Sequence, residues 1–207
     1  MYTGHMRDLR FLNEHNIDLI GIHRATSFDF SLNLEKAARV ERQILDLVGR
    51  RRIHRDRRQY EYLTAKLKDL CAVGEQVVKN LVVLRTRSII AERLGSVNTY
   101  TLNVGHGAVG TGTGTPVAAD TQLGAEVNRV ETASADVTDA ANGIVILSFF
   151  WSRSSFVNSG ITEFGNFIDG TASANTGRIC SRILFASTID KTAQKTLTVD
   201  SQYTVSG

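Results

Sequence analysis

The residues most suggestive of chemistry lie in VGHGAVGTGTGTP, Val104–Pro116, where Gly105, Gly107 and Gly110 have G-x-G-x-x-G spacing. In a dinucleotide site such glycines let backbone amides approach a pyrophosphate, provided a strand leads in and a helix starts at the last glycine. A strand is predicted just before, because TYTLNV alternates Tyr100, Leu102 and Val104 with polar residues. The helix is not: TGTGTPVAAD follows Gly110, and alternating Thr and Gly running into Pro116 cannot nucleate one. Glu131 lies about twenty positions on, without a strand–helix–strand unit around it. A P-loop also needs a Lys after its last glycine, and none is present. These glycines therefore read as a turning loop that uses positive φ, with His106 exposed on it.

A second cluster is basic. Arg50, Arg51, Arg52, His54, Arg55, Arg57 and Arg58 crowd one short stretch, a composition suited to phosphates or to an acidic partner surface. No recognised nucleic-acid motif accompanies it. His5, His15 and His23 lack metal-site spacing, and Cys71 and Cys180 stand alone, as expected of reduced, mostly buried thiols. No G-x-S-x-G or Ser/His/Asp set is visible, and Asp136 and Asp139 in DVTDAANG are read as shaping a turn. The residues give no catalytic set, metal or cofactor, so the expectation is a non-enzymatic protein.

These side chains need elements to position them. The 207 residues are 42% hydrophobic and 22% charged, enough for a sizeable core. The net charge of +3 conceals a split: residues 1–95 carry +6 and residues 96–207 carry −3. The longest apolar run, Gly143–Trp151, is about half a membrane span, so no membrane partner is expected. Residues 1–32, with LIGIHR and FDFSL as short strands or docking segments, read as a mixed docking arm. From Asn33 the stripe Ala37, Val40, Ile44 and Leu47 predicts a helix that breaks near Gly49. A second helix is predicted from about Asp56 to Leu94, where Tyr60, Leu63, Leu67, Leu70, Gly74, Val77, Leu81 and Leu84 step as a heptad seam and Gly95 stops it. Leu63, Leu67, Leu70, Val77, Leu81 and Leu84 are the expected oligomer interface or core. Beyond Gly95 the period becomes two. ILSFFW, with Trp151 in the core, together with ITEFGNFI, RICSRILFA and KTLTVDSQYTV, predicts an all-β domain. The expected fold is thus α+β: a docking arm (1–32), a helical anchoring region of two helices (33–95) and an antiparallel sandwich-like domain (96–207).

The β half resembles a family of tailed-bacteriophage virion proteins. In Gly110–Val130 a Gly/Thr/Pro run precedes Asp120, Thr121, Leu123, Gly124, Glu126, Val127 and Arg129, similar to D-T-x-L-G-x-E-V-x-R; ITEFGNFIDG is similar to an I-x-E-x-G-x-F hairpin, and Arg178–Val205 to the closing strands. The resemblance implies a structural component of the neck, collar or tail, homo-oligomeric and contacting portal, connector or tail proteins. It also implies assembly in the host cytoplasm. A ring of copies would align Arg50, Arg51, Arg52, Arg55, Arg57 and Arg58 against an acidic portal surface or packaged DNA. Two other readings stay open: a receptor- or glycan-recognition module of a tail fibre, and a nucleic-acid-binding protein that uses the basic helices.

Overall fold

The structure, a computed structural model, describes residues 18–49, 53–97 and 99–206. In chain order they form β1 (Asp18–Asp29), α1 (Leu34–Gly49), α2 (Ile53–Leu70), β2 (Ala72–Lys79), β3 (Leu81–Val82), α3 (Leu84–Leu94), β4 (Val104–Gly110), β5 (Glu126–Asp139), β6 (Ile144–Trp151), β7 (Asn158–Ile168), β8 (Arg178–Lys191) and β9 (Lys195–Ser206).

The strands form one sheet in the order β2-β1-β9-β6-β5-β4-β7-β8-β3, and its two ends belong to one piece of chain. β2 runs antiparallel to β1 from Ile22↔Lys79 to Asp29↔Ala72. One residue after β2 the chain pairs with β8 instead, Leu81↔Arg182 and Val82↔Ser181. Residues 72–82 therefore grip both edges, and the sheet rolls into a nearly closed barrel. β5 turns the other corner, pairing first with β4 and then with β6, with a register shift between Thr132 and Ser134. Strands that change sheet at a bulge are how two packed sheets share corners. Beyond β3, Gln76 bridges β2 to β8: its Nε2 donates to the Ser187 carbonyl at 2.8 Å and its Oε1 accepts from the Ser187 N–H at 2.9 Å. The carboxamide does there what a peptide group would do in a ladder.

Phe149, Trp151, Phe164, Leu197 and Val199 fill the barrel and are buried. α1 and α2 lie outside one wall, where Ile44, Leu63 and Leu67 pack on Phe28, Phe30 and Phe150. Residues 111–125 cover the other wall, with Leu123 over Ala108, Phe167 and Ile179.

The expected helical N-terminal region followed by a separate sandwich is not what forms. β1 pairs with β9 along its whole length, Asp18↔Ser206 to Asp29↔Lys195, so residues on both sides of the helices share one barrel. β1 escapes a period-two reading because both of its faces are covered: His23 and Ala25 are buried, and so is Phe28, which belongs to the helical cluster. The long second helix also divides, into α2, β2–β3 and α3. Val73, Val77, Val78 and Val82 are β-branched and favour strand, and Gly74 weakens a helix. Of the heptad seam, Tyr60, Leu63 and Leu67 are buried and Leu70 is half-buried on α2; Val77 and Leu81 fall on strands, and Leu84 is exposed on α3. TYTLNV is not a strand: β4 begins at Val104 and is made of the glycine-rich stretch itself. The α1 stripe is as expected, with Ala37, Val40, Ile44 and Leu47 all buried. Gly95 ends α3 with its N–H on the Ala91 carbonyl at 2.9 Å, and Trp151 lies in the core.

Candidate functional site

The glycine-rich segment does hold an anion, but the anion is the chain's own. β7 presents Glu163, fully buried, to the loop that follows β4. Its Oε1 accepts from the amides of Gly112 at 2.9 Å and Ala125 at 2.8 Å, and its Oε2 accepts from Gly124 at 3.0 Å. Arg182 on β8 completes the shell: Nε donates to Glu163 Oε2 at 2.9 Å, Nη1 to Asp120 at 2.9 Å and Nη2 to the Gly114 carbonyl at 2.9 Å. A Cβ at Gly110 would overlap the Ala125 carbonyl oxygen as well as Glu163 Oε1, and one at Gly112 would overlap Glu163 Oε1 and crowd the Gly124 backbone, which is why these two positions are glycine. Gly107 is glycine for another reason, since a Cβ there would enter the Phe149 ring. A carboxylate with this many donors and a guanidinium is a strong intramolecular clasp, with its acceptor sites spent on structure.

A second clasp sits on the same wall. Glu126 and Arg129, side chains both 2% exposed, form a bidentate pair with both contacts at 2.8 Å. The guanidinium stacks 4.0 Å from the Phe167 ring centroid and donates to the Thr176 carbonyl at 2.7 Å. Glu126 also accepts from the Asn175 N–H at 3.1 Å. The pair thereby fixes the hairpin between β7 and β8.

The histidines behave differently from expectation. His106 is not exposed: it is buried between Glu131 and Phe167 on neighbouring strands, and neither ring nitrogen has a partner among the described residues. Burial lowers its pKa, with Glu131 pulling the other way. His23 points into the barrel, with Nδ1 2.7 Å from Ser201 Oγ and Nε2 3.2 Å from Ser181 Oγ. Burial pushes its pKa down to about 3, so it is neutral. Ser181 and Asn166 meet at the Tyr203 hydroxyl, at 2.7 and 2.6 Å. This Ser–His contact is sealed inside and positions nothing for a substrate. His5 and His15 lie outside the described residues, and no His/Cys/Asp/Glu group among the described residues could hold a metal ion.

Arg50, Arg51 and Arg52 lie outside the described residues, while Arg55, Arg57 and Arg58 lie on α2. Arg58 is exposed; Arg57 is half-buried, with Nε 2.6 Å from Glu61 and 3.5 Å from Asp136. Asp139 shapes the β5–β6 turn by accepting from the Asn142 amide N–H at 3.1 Å. Cys71 and Cys180 are free thiols; burial pushes Cys71 up to about 11. No described helix is long and apolar enough to cross a membrane.

Glu163, Arg182 and Asp200 belong to no recognised site motif in the sequence. The available signal was a charge interrupting an apolar strand pattern, as in ITEFGNFI and RICSRILFA, since such a charge is either on an exposed face or paired. Comparison with known proteins finds no family model that matches the chain, no matching curated protein and no matching solved structure.

Proposed function

We propose that the protein is a non-enzymatic structural component of a tailed-bacteriophage particle, homo-oligomeric and placed at the neck, collar or tail. The observation that carries this reading is the convergence of the resembling phrases on one wall of the barrel. Asp120, Leu123, Gly124, Glu126 and Arg129 come from the first phrase, Glu163, Gly165 and Phe167 from the second, and Arg182 from the third. Together they form the two clasps and the apolar patch beneath them. Phrases that build one surface together behave as a single fold-determining set, which favours the family likeness over chance matches of weak motifs. His23 and His106, both buried, also fit a chain whose polar groups serve packing.

The direct test is mass spectrometry of purified particles from a host carrying the gene, with light scattering on the isolated protein. The expected result is the chain at a fixed stoichiometry in particles and an oligomer on isolation or after incorporation. Absence from intact particles would sink the proposal. Replacing Arg50, Arg51, Arg52, Arg55, Arg57 and Arg58 by Ser is expected to impair incorporation; normal incorporation would remove the ring of arginines from the reading.

A further inference from the structure

The outer face of β1, β9 and β6 and the helix α2 above it enclose a cleft of about 270 Å³ that neither clasp uses. Ile22 and Ile146 give it apolar walls, and Arg57, Tyr60, Ser148 and Asp200 bring polar atoms into it. Asp200 stands on β9 and is held on one side only: Oδ1 accepts from Ser148 Oγ at 2.6 Å. No described cation lies within ion-pairing distance of it. Burial raises its pKa, against the Ser148 hydrogen bond and the charges of Arg57, Arg24 and Lys68.

Opposite, Arg57 turns its Nε to Glu61 and Asp136, but its Nη1 is shielded from solvent and has no partner among the described residues. One turn along, the buried Tyr60 hydroxyl approaches Thr198 without reaching hydrogen-bond geometry, and the Thr198 hydroxyl is also unpartnered. A buried polar group left unpaired costs about 1–3 kcal/mol relative to a satisfied one, and two residues lining the cleft carry such a group, Arg57 at Nη1 and Tyr60 at its hydroxyl, facing Asp200 and its Ser148 hydrogen bond.

The charge pattern selects the ligand. A lone cation would satisfy Asp200 but meet Arg57 and Arg24, and a lone anion would satisfy Arg57 but meet Asp200 and Glu61. A molecule with both charges satisfies both sides, and a small one suits a cavity of this size. We propose that the cleft between α2 and the barrel binds a small zwitterion, an α- or ω-amino acid, with its ammonium on Asp200 and its carboxylate on Arg57 and the Tyr60 hydroxyl.

The test titrates glycine, β-alanine, 4-aminobutanoate and 6-aminohexanoate into the ¹⁵N-labelled full chain. Putrescine and succinate serve as single-sign controls. The expected result is that at least one zwitterion shifts the amides of residues 57–61 and 200–202 with a Kd on the order of 1 mM or tighter, with both controls at least tenfold weaker. Asp200→Asn and Arg57→Gln should each weaken binding about tenfold or more, and Tyr60→Phe a few-fold. If Asp200→Asn does not fold, Ser148→Ala removes the hydrogen bond that orients the carboxylate, and a several-fold loss is expected instead. No shift of these amides at about 20 mM of any zwitterion overturns the proposal. So does a control that binds equally well, or unchanged affinity in the folded variants.

Discussion

The two walls of the barrel are covered by different physics. One carries the α1–α2 hairpin, held by aliphatic and aromatic side chains, with Ile44, Leu63 and Leu67 on Phe28, Phe30 and Phe150. The other carries loops 111–125 and 169–177, held by buried ion pairs and backbone amides around Glu163–Arg182–Asp120 and Glu126–Arg129. A helix satisfies its own backbone and needs only an apolar stripe to stay in place. A loop crossing a sheet face brings unsatisfied peptide groups with it, and a buried carboxylate can collect several at once.

The comparison breaks most visibly at Glu163. Glu163→Ala strips Arg182 of one of its two carboxylate partners, leaving only Asp120, and leaves three amides unmet, so a loss of about 3–5 kcal/mol is expected in denaturant unfolding. A loss below about 1 kcal/mol would mean that the loop does not depend on the buried carboxylate. On the helical wall, Leu67→Ala should cost about 3 kcal/mol through the cavity it leaves. Its effect should be insensitive to salt and pH, and a salt-dependent loss would mean that the helical wall too is held by charges. The interior gives a pH signature distinct from both walls. His23 has a folded pKa of about 3 against about 6.5 unfolded. Because the folded value is depressed, the unfolded chain binds the extra proton first, and stability falls as pH drops from about 6.5 towards 3, by up to roughly 4–5 kcal/mol. Stability measured across that range should flatten in His23→Gln; an unchanged slope would assign the acid loss to carboxylates. Smaller again, Gln76→Ala should cost about 1 kcal/mol and speed hydrogen exchange at Ser187 above all. Uniform exchange along β8 would deny the bridge its local role. Smallest is Gly114→Ala, expected within about 0.5 kcal/mol because nothing lies within 4 Å of the added carbon. Gly112→Ala, against Glu163, should cost several times more.

The same contrast explains what could be read from the sequence. The α1 stripe was legible because one face of a helix repeats at a fixed interval, and Leu197, Val199 and Tyr203 were legible because β9 alternates. Residues 72–82 were not, because Val77 and Leu81 satisfy a heptad and a strand of β-branched residues equally well, and only pairing with β1 and β8 decides. The glycines of 105–112 read as unsuited to a nucleotide, but Gly110 and Gly112 answer to a carboxylate about fifty residues downstream and Gly107 to the Phe149 ring, distances over which no local pattern operates. The α2 cleft was invisible for a related cause. Asp200 and Arg57 stand far apart in the chain, and each looks like an ordinary surface charge on a polar face.

The pairing of β1 with β9 also imposes an order in time. Residues 18–29 leave the ribosome long before residues 195–206 exist, so the first strand must wait for its neighbour through most of synthesis. Meanwhile β1 exposes a backbone edge and Phe28, with only β2 and the helical hairpin available as early partners. Non-local pairing of this kind folds slowly and is exposed to misassociation while it waits. The local hairpin of α1 and α2 can form early and cover Phe28, which makes it a nursemaid for the strand as well as a wall of the finished barrel.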